Sequence, residues 1–216
     1  MNNFGSALRL IFINNTTTIH YSLFIIHYSL FIIQIMRIIS GNYRGKKLYN
    51  LKDEDIRPTL DRVKEDIFNI LMFKVNGCAA LDLFAGTGAL GLECISRGAK
   101  TVIFNDNNKK SIEVINKNLN SLPNLSPLAS FEVICSDYLT CLKNLQNRGL
   151  KFDIIFLDPP FDTGFGVKAV KEIKRDNLLN KDGIIVFEHG NNINLEGIEV
   201  FKKKRYAYVT VSFTGG

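Results

Sequence analysis

Four acids and a set of closely spaced glycines are the residues of this chain best suited to chemistry. Asp82 opens Asp82-Leu83-Phe84-Ala85-Gly86-Thr87-Gly88-Ala89-Leu90-Gly91, and Asp106 lies 15 residues past the last glycine. Asp137 comes later, and Asp158 begins Asp158-Pro159-Pro160-Phe161. A side chain in the glycine turn would keep a ligand off the backbone. Without one, the N–H groups and the positive end of the following helix face that ligand. Read literally, Gly86-x-Gly88-x-x-Gly91 is the dinucleotide fingerprint, but S-adenosylmethionine enzymes use a similar turn. Asp82 favours the second cofactor. A carboxylate inside the strand end suits a ligand bearing an ammonium group and repels a pyrophosphate.

Asp158-Pro159-Pro160-Phe161 is the most specific signal in the chain. Consecutive prolines lack N–H donors and hold the backbone stiffly extended. Their carbonyls and Asp158 can grip an exocyclic amine of a base and aim its lone pair at an electrophile. Phe161 can stack on that base, which must then be unstacked or single-stranded. Held close to a sulfonium methyl, the amine needs little activation, so positioning supplies most of the catalysis. Asp158 orients the amine and takes or relays its proton. The bland alternative is a proline-stiffened strand exit.

These groups need elements to position them. The apolar run Ala79–Leu83 predicts a strand, and an apolar-periodic helix follows the glycines to about Arg97. Lys100–Asn105 predicts a second strand ending at Asp106, whose carboxylate can accept from both hydroxyls of a ribose. Capping a helix that starts near Asn108 is its alternative role. A helix over 108–121 and a loop over 121–130 precede a third strand, Phe131–Ser136, which ends at Asp137, close enough to face the adenine. Lys151–Asp158 predicts the fourth strand and Gly183–Glu188 the fifth, with His189 a loop residue beyond it. Gly197–Phe213 predicts a closing antiparallel hairpin with a basic turn, where Lys203, Lys204 and Arg205 are candidate phosphate contacts.

Upstream, residues 36–56 predict a short basic hairpin, separate from a main domain over 57–216. It carries Arg37, Arg44, Lys46 and Lys47 among Tyr43 and Tyr49, a surface for phosphates and unpaired bases or a solvated face. Arg57-Pro58-Thr59 leads into a helix from Arg62 to about Lys74, whose Val63, Ile67, Ile70 and Leu71 share one packing face. Arg57 and Thr59 before it, with Phe84 and Thr87 in the glycine turn, complete the candidate cofactor contacts.

The 216 residues suffice for one domain with a substantial core, at 46% hydrophobic and 22% charged. A net charge of +6 and pI of about 9.1 favour a polyanionic partner. Four cysteines without a CxxC pair and only three histidines argue against zinc, and cysteines in apolar runs read as reduced core residues of a cytosolic protein. Residues 1–35 look foreign to the rest. Arg9 is their only charged side chain, and Ile19–Ile25 is repeated unchanged as Ile26–Ile32. A membrane anchor and a secretory signal are two readings. An over-extended start upstream of Met36 is the third, and the intact duplication favours it. No stable membrane association is expected.

The chain resembles the bacterial 16S rRNA guanine-N2 methyltransferases of the RsmD type. The resemblance is carried by Met36–Gly41 with Arg44-Gly45, Arg57–Thr59, Asp61–Val63, Phe68–Leu71, Leu81–Glu93, Ser96–Ala99 and Asp158–Phe161. It implies methyl transfer from S-adenosylmethionine to a guanine N2 in small-subunit rRNA, within the small (30S) particle or an assembly intermediate. It also implies that Asp82, Gly86, Gly88, Asp106 and Asp137 hold the cofactor and that Asp158 to Phe161 hold the base. This chain departs from the family at Asp106, where Glu is usual, at Asn105, usually apolar, and at Ala207, usually glycine. The expected architecture is α/β: a Rossmann-like, class I methyltransferase sheet of seven mostly parallel strands with an antiparallel last hairpin. A monomer without metal, active in the cytoplasm, is expected. Methylation of adenine N6 in DNA or another RNA is the alternative activity. A nicotinamide dehydrogenase and a non-catalytic RNA-binding assembly factor are the further rivals.

Overall fold

The computed structural model describes residues 36–51, 59–125, 129–160 and 163–215, with the side chains of Thr59 and Leu60 outside that description. The sequence-predicted extension 1–35, Arg57 and Phe161 therefore lie outside the described residues, as does the Thr59 side chain. The described chain belongs to one compact unit, Met36–Glu54 with Thr59–Gly216.

After α1 (Thr59–Ile70), strands and helices alternate: β1 (Ala79–Asp82), α2 (Ala89–Ser96), β2 (Thr101–Asp106), α3 (Lys109–Asn120), β3 (Ser130–Cys135), α4 (Tyr138–Asn147), β4 (Phe152–Leu157), α5 (Phe165–Arg175) and β5 (Leu179–His189). β6 (Lys202–Arg205) and β7 (Thr210–Gly215) close the chain. The sheet order is β3-β2-β1-β4-β5-β7-β6, with the first five strands parallel and β7 antiparallel to both neighbours. This is the predicted seven-stranded architecture.

The central strands are apolar throughout because both faces are covered. In β4, Ile154 and Phe156 enter a core with Phe68, Phe104 and Phe213 on the α1–α2–α3 side. Ile155 and Leu157 enter the opposite core with Leu81, Leu83, Leu142 and Val170 under α4 and α5. Gly91 is required by packing: a Cβ there would stand 2.2 Å from the Phe104 ring, so only glycine lets α2 lie this close to β2.

The described part of the expected basic hairpin, 36–51, is a short antiparallel one: Arg37 bridges Lys47, Ile38 N donates to Lys46 O at 2.9 Å and Leu48 N to Met36 O at 2.8 Å, while Ile39 N and Ser40 N turn to α2. Several sequence expectations are corrected. The cations expected in the last turn form the edge strand β6, and the turn falls at 206–209. His189 is the last residue of β5, 1% exposed, with its ring nitrogens 2.8 Å from Ser212 Oγ and Gly190 O; it is a strand residue and not a loop residue. Cys78, Cys94 and Cys141 are buried, but Cys135 is exposed at the end of β3, where the strand reaches the sheet's rim.

The segment after Met36 is tied to α2 by a buried acid. Glu93 is fully buried and accepts from Ile39 N at 2.8 Å and Ser40 N at 2.9 Å. Arg97 pairs with it at 2.8 Å and Lys64 at 3.7 Å, while Lys64 also donates to Arg37 O. Burial pushes the Lys64 ammonium below its ordinary value, against the opposing pull of Glu93. A lone acid in the apolar helix Leu92-Glu93-Cys94-Ile95 was the available sequence signal for this anchor.

Candidate active site

The strand order reverses between β1 and β4, and the crevice outside their carboxyl ends is where ligands bind in open α/β sheets. Every chemically suited acid of the sequence lies at that edge. β1 ends at Asp82, β2 at Asp106, Asp137 follows β3 by two residues, and Asp158 follows β4 directly. Asp82 is paired across the sheet with Phe156, two residues before Asp158, so the β1 and β4 acids come from neighbouring strands.

The glycine turn is held from both sides. Leu83 N donates to Phe156 O at 3.1 Å and Ala85 N to Asn105 O at 2.9 Å, which clamps the turn between β4 and β2. Gly86 has φ +53° and Gly88 φ +80°, left-handed values that glycine adopts freely. A Cβ on Gly86 would meet nothing within 4 Å, so open space lies against its backbone. Gly86 N donates to Asp106 Oδ2 at 2.8 Å, and Asn108 N donates to Asp106 Oδ1 at 2.8 Å. Asn108 caps α3, so capping is not the task of Asp106; its carboxylate instead joins the glycine turn to the end of β2.

Asp82 is 2% exposed and accepts from Gly91 N at 3.0 Å. Burial pushes its carboxyl up to about 7, opposed by the Gly91 N–H and reinforced by the nearby charges of Asp158 and Asp106. A carboxyl held this way gains from an adjacent ammonium group, which replaces the lost solvation of its charged form.

Asp137 caps α4, its Oδ1 accepting from Leu139 N and Thr140 N at 3.1 Å each. Those contacts with Thr140 hold its carboxyl below its ordinary value. Thr87, 6% exposed, donates its hydroxyl to the Met36 sulfur at 3.1 Å. Phe84 stacks at a tilt on Tyr138, and Tyr138 on Phe165, with both ring centroids 5.3 Å apart. Asp158 and Pro160 are exposed and Pro159 is buried between them. Thr163 Oγ1 donates back to Pro160 O at 2.8 Å and shapes the exit of the proline segment.

Sequence reasoning missed Asn118. It is fully buried in α3, donates to Thr87 O at 3.0 Å, and exchanges bonds with the backbone of Tyr49, accepting from its N–H at 2.7 Å. No pattern distinguishes it from the other asparagines of a polar helix. The basic candidates divide. Arg37 is paired with Asp61 at 3.3 Å and Lys204 with Asp66 at 2.7 Å, whereas Arg44, Lys47, Lys203 and Arg205 are exposed. Lys46 is half-buried. Among the described residues no group of acids, histidines and cysteines could hold a metal ion, and no helix is long and apolar enough to cross a membrane.

A reversed last strand on a doubly wound sheet, with a glycine turn after β1 and an acid ending β2, defines the class of S-adenosylmethionine-dependent methyltransferases. Solved structures carry the same architecture. A methylase of Haemophilus influenzae is 35% identical, with a TM-score of 0.68, covering 83% of this chain and 97% of that one. A Thermus thermophilus 16S rRNA N2 methyltransferase, in complex with AdoMet and guanosine, shares the fold at 23% identity and a TM-score of 0.59, covering 76% of this chain and 44% of that one. A relative from Haemophilus influenzae named Ribosomal RNA small subunit methyltransferase D is 42% identical over 153 residues, 71% of this chain and 78% of that protein. Residues 36–215 match the family described as Conserved hypothetical protein 95, and the chain belongs to that family.

Proposed function

We propose that this enzyme transfers a methyl group from S-adenosylmethionine to the exocyclic N2 of a guanine in the 16S rRNA of the small ribosomal subunit. The observation that supports the reading is the placement of Asp82 and Asp158 at the carboxyl ends of the neighbouring strands β1 and β4, at the switch point. The residues fit the cofactor. Gly86 leaves the turn open, and the buried Asp82 suits the ammonium end. Asp106 would hold the ribose hydroxyls and Asp137 the adenine. When bound, the cofactor supplies an electrophilic methyl group on a sulfonium.

The chain's own residues do the rest. Asp158 and the carbonyls of the proline segment accept the N–H donors of the base amine and turn its lone pair toward the methyl. Asp158 then takes or relays the proton released from that nitrogen. Phe161, outside the described residues, is the residue expected to stack on the base. The names of the curated relatives support small-subunit rRNA as the substrate. The test is methyl transfer from labelled S-adenosylmethionine to unmodified small subunits, followed by digestion to nucleosides. Label in N2-methylguanosine is the expected result. Label in N6-methyladenosine would overturn the base, and no label despite verified cofactor binding would overturn the substrate.

A further inference from the structure

A cavity of about 780 Å³ lies at the opposite edge of the sheet, by the amino ends of β4 and β5. Four lysines line it: Lys74 after α1, Lys151 just before β4, Lys174 in the last turn of α5 and Lys181 in β5. Asp182 is the single acidic residue on its wall, and the Lys74 ammonium donates to that residue's main-chain carbonyl at 2.9 Å. None of the four lysines forms an ion pair among the described residues. The adjacent Arg175, by contrast, is paired with Glu172 and Asp176. Four lysines against one acid leave the concavity net positive, and a polyanion relieves the repulsion among them.

Aromatics stand among these cations. Phe201 is on the cavity wall and 58% exposed, and Phe73, immediately before Lys74, is 91% exposed. Lysines with exposed aromatic faces between them suit single-stranded nucleic acid, whose phosphates meet the ammonium groups while its bases stack. The next residues lead back toward the crevice. β6 is the edge strand and starts directly after Phe201. Lys202 pairs with Phe213 at the cavity end, and Arg205 pairs with Thr210, which lies beside His189 at the carboxyl end of β5. Four residues at about 3.3 Å each make a basic rail of roughly 13 Å up the sheet edge. Lys202, Lys203 and Arg205 are exposed along it, while Lys204 turns to Asp66.

We propose that this cavity and the β6 edge form a second RNA site, which holds the phosphate backbone of a single-stranded segment of the substrate away from the methylated base. The inference rests on the RNA-methyltransferase reading above. Its test uses the full-length protein, labelled protein-free small-subunit rRNA, and salt from about 50 to 200 mM. The variant Lys74→Gln/Lys181→Gln is compared with Lys100→Gln/Lys143→Gln, which removes the same charge at exposed positions elsewhere. The cavity pair should weaken RNA binding about tenfold and lower the slope of log K against log salt by about 1–2. The control pair should change affinity by less than about twofold, and cofactor affinity should be unchanged in both. A cavity pair that binds protein-free RNA like the wild type overturns the inference. If that pair fails only on the assembled particle, the cavity takes an acidic protein instead. Equal losses in the two pairs reduce the effect to net charge and also overturn it. Loss of RNA binding in the cavity pair, with no methyl transfer by the wild type, would leave this site standing and sink the enzymatic reading.

Discussion

Asp82 carries the strongest residue-level prediction, because its ionisation is set by burial. Its carboxyl sits at about 7 in the folded protein against an ordinary 3.8. Between those values the native state keeps a proton that the unfolded chain has released, so stability is lost as pH rises from about 4 to 7. Asp82→Asn keeps an acceptor for Gly91 N and removes the charge. It should stabilise the cofactor-free protein at pH 8 by about 1–3 kcal/mol and change little at pH 4, as read by thermal denaturation at both. Cofactor affinity of the wild type should rise with pH through 7, and in Asp82→Asn it should be weaker and flat. Titration calorimetry across that range decides it. Asp158 acts on the other substrate. Asp158→Ala should abolish methyl transfer while cofactor affinity stays nearly intact, and substantial residual turnover would remove it from the mechanism.

At the scale of elements, the glycine turn is positioned by contacts from four directions: β4, β2, α3 through Asn118, and the segment after Met36 through the Thr87–Met36 contact. α2 in turn anchors that segment through Glu93, whose charge is balanced by Lys64 and Arg97. Removing one partner of such a buried group leaves the others uncompensated. Glu93→Ala should therefore cost about 3–5 kcal/mol in chemical denaturation and detach the 36–48 segment. Increased amide exchange at Ile39 and Ser40 would report that detachment, and unchanged protection there would count against the anchor. β6 is tied to α1 nearer the surface, since Lys204 in the strand and Tyr206 just after it both reach Asp66, at 2.7 and 2.9 Å.

At the scale of the molecule, Met36–Leu48 is part of the main core. Ile38 is fully buried and Leu48 is 7% exposed, in the same cluster as Val63 and Phe68. The family match also begins at residue 36. A chain starting at Met36 should accordingly keep the melting temperature and methyl transfer of the full-length protein, whereas one starting at residue 49 should lose most of its stability. Parallel thermal melts and transfer assays on the three chains test this, and a marked loss on removing 1–35 alone would refute it.

Legible in the sequence were the five parallel strands, the helices after β1 and β2, the glycine turn and the position of each acid at a strand end. Those features are written in local patterns: continuous apolar runs for buried strands, and acids and prolines where the runs stop. It did not single out α4 and α5, nor tell the strand residue His189 from a loop residue, because a short apolar run looks the same on either side of an element's end. Which residues are buried, paired or left exposed came from the packing of distant segments. Asp82, Asp106 and Asp158 look equivalent as residues, yet only Asp82 is buried, and burial is what raises its proton affinity. Lys204 and Lys203 are neighbours in one basic run, but strand alternation sends one to Asp66 and leaves the other exposed. The lysines of the far cavity come from four separate stretches between residues 74 and 181, and no local pattern brings them together. Solvation and long-range charge depend on what surrounds a group in space, and for these groups the surroundings come from distant parts of the chain.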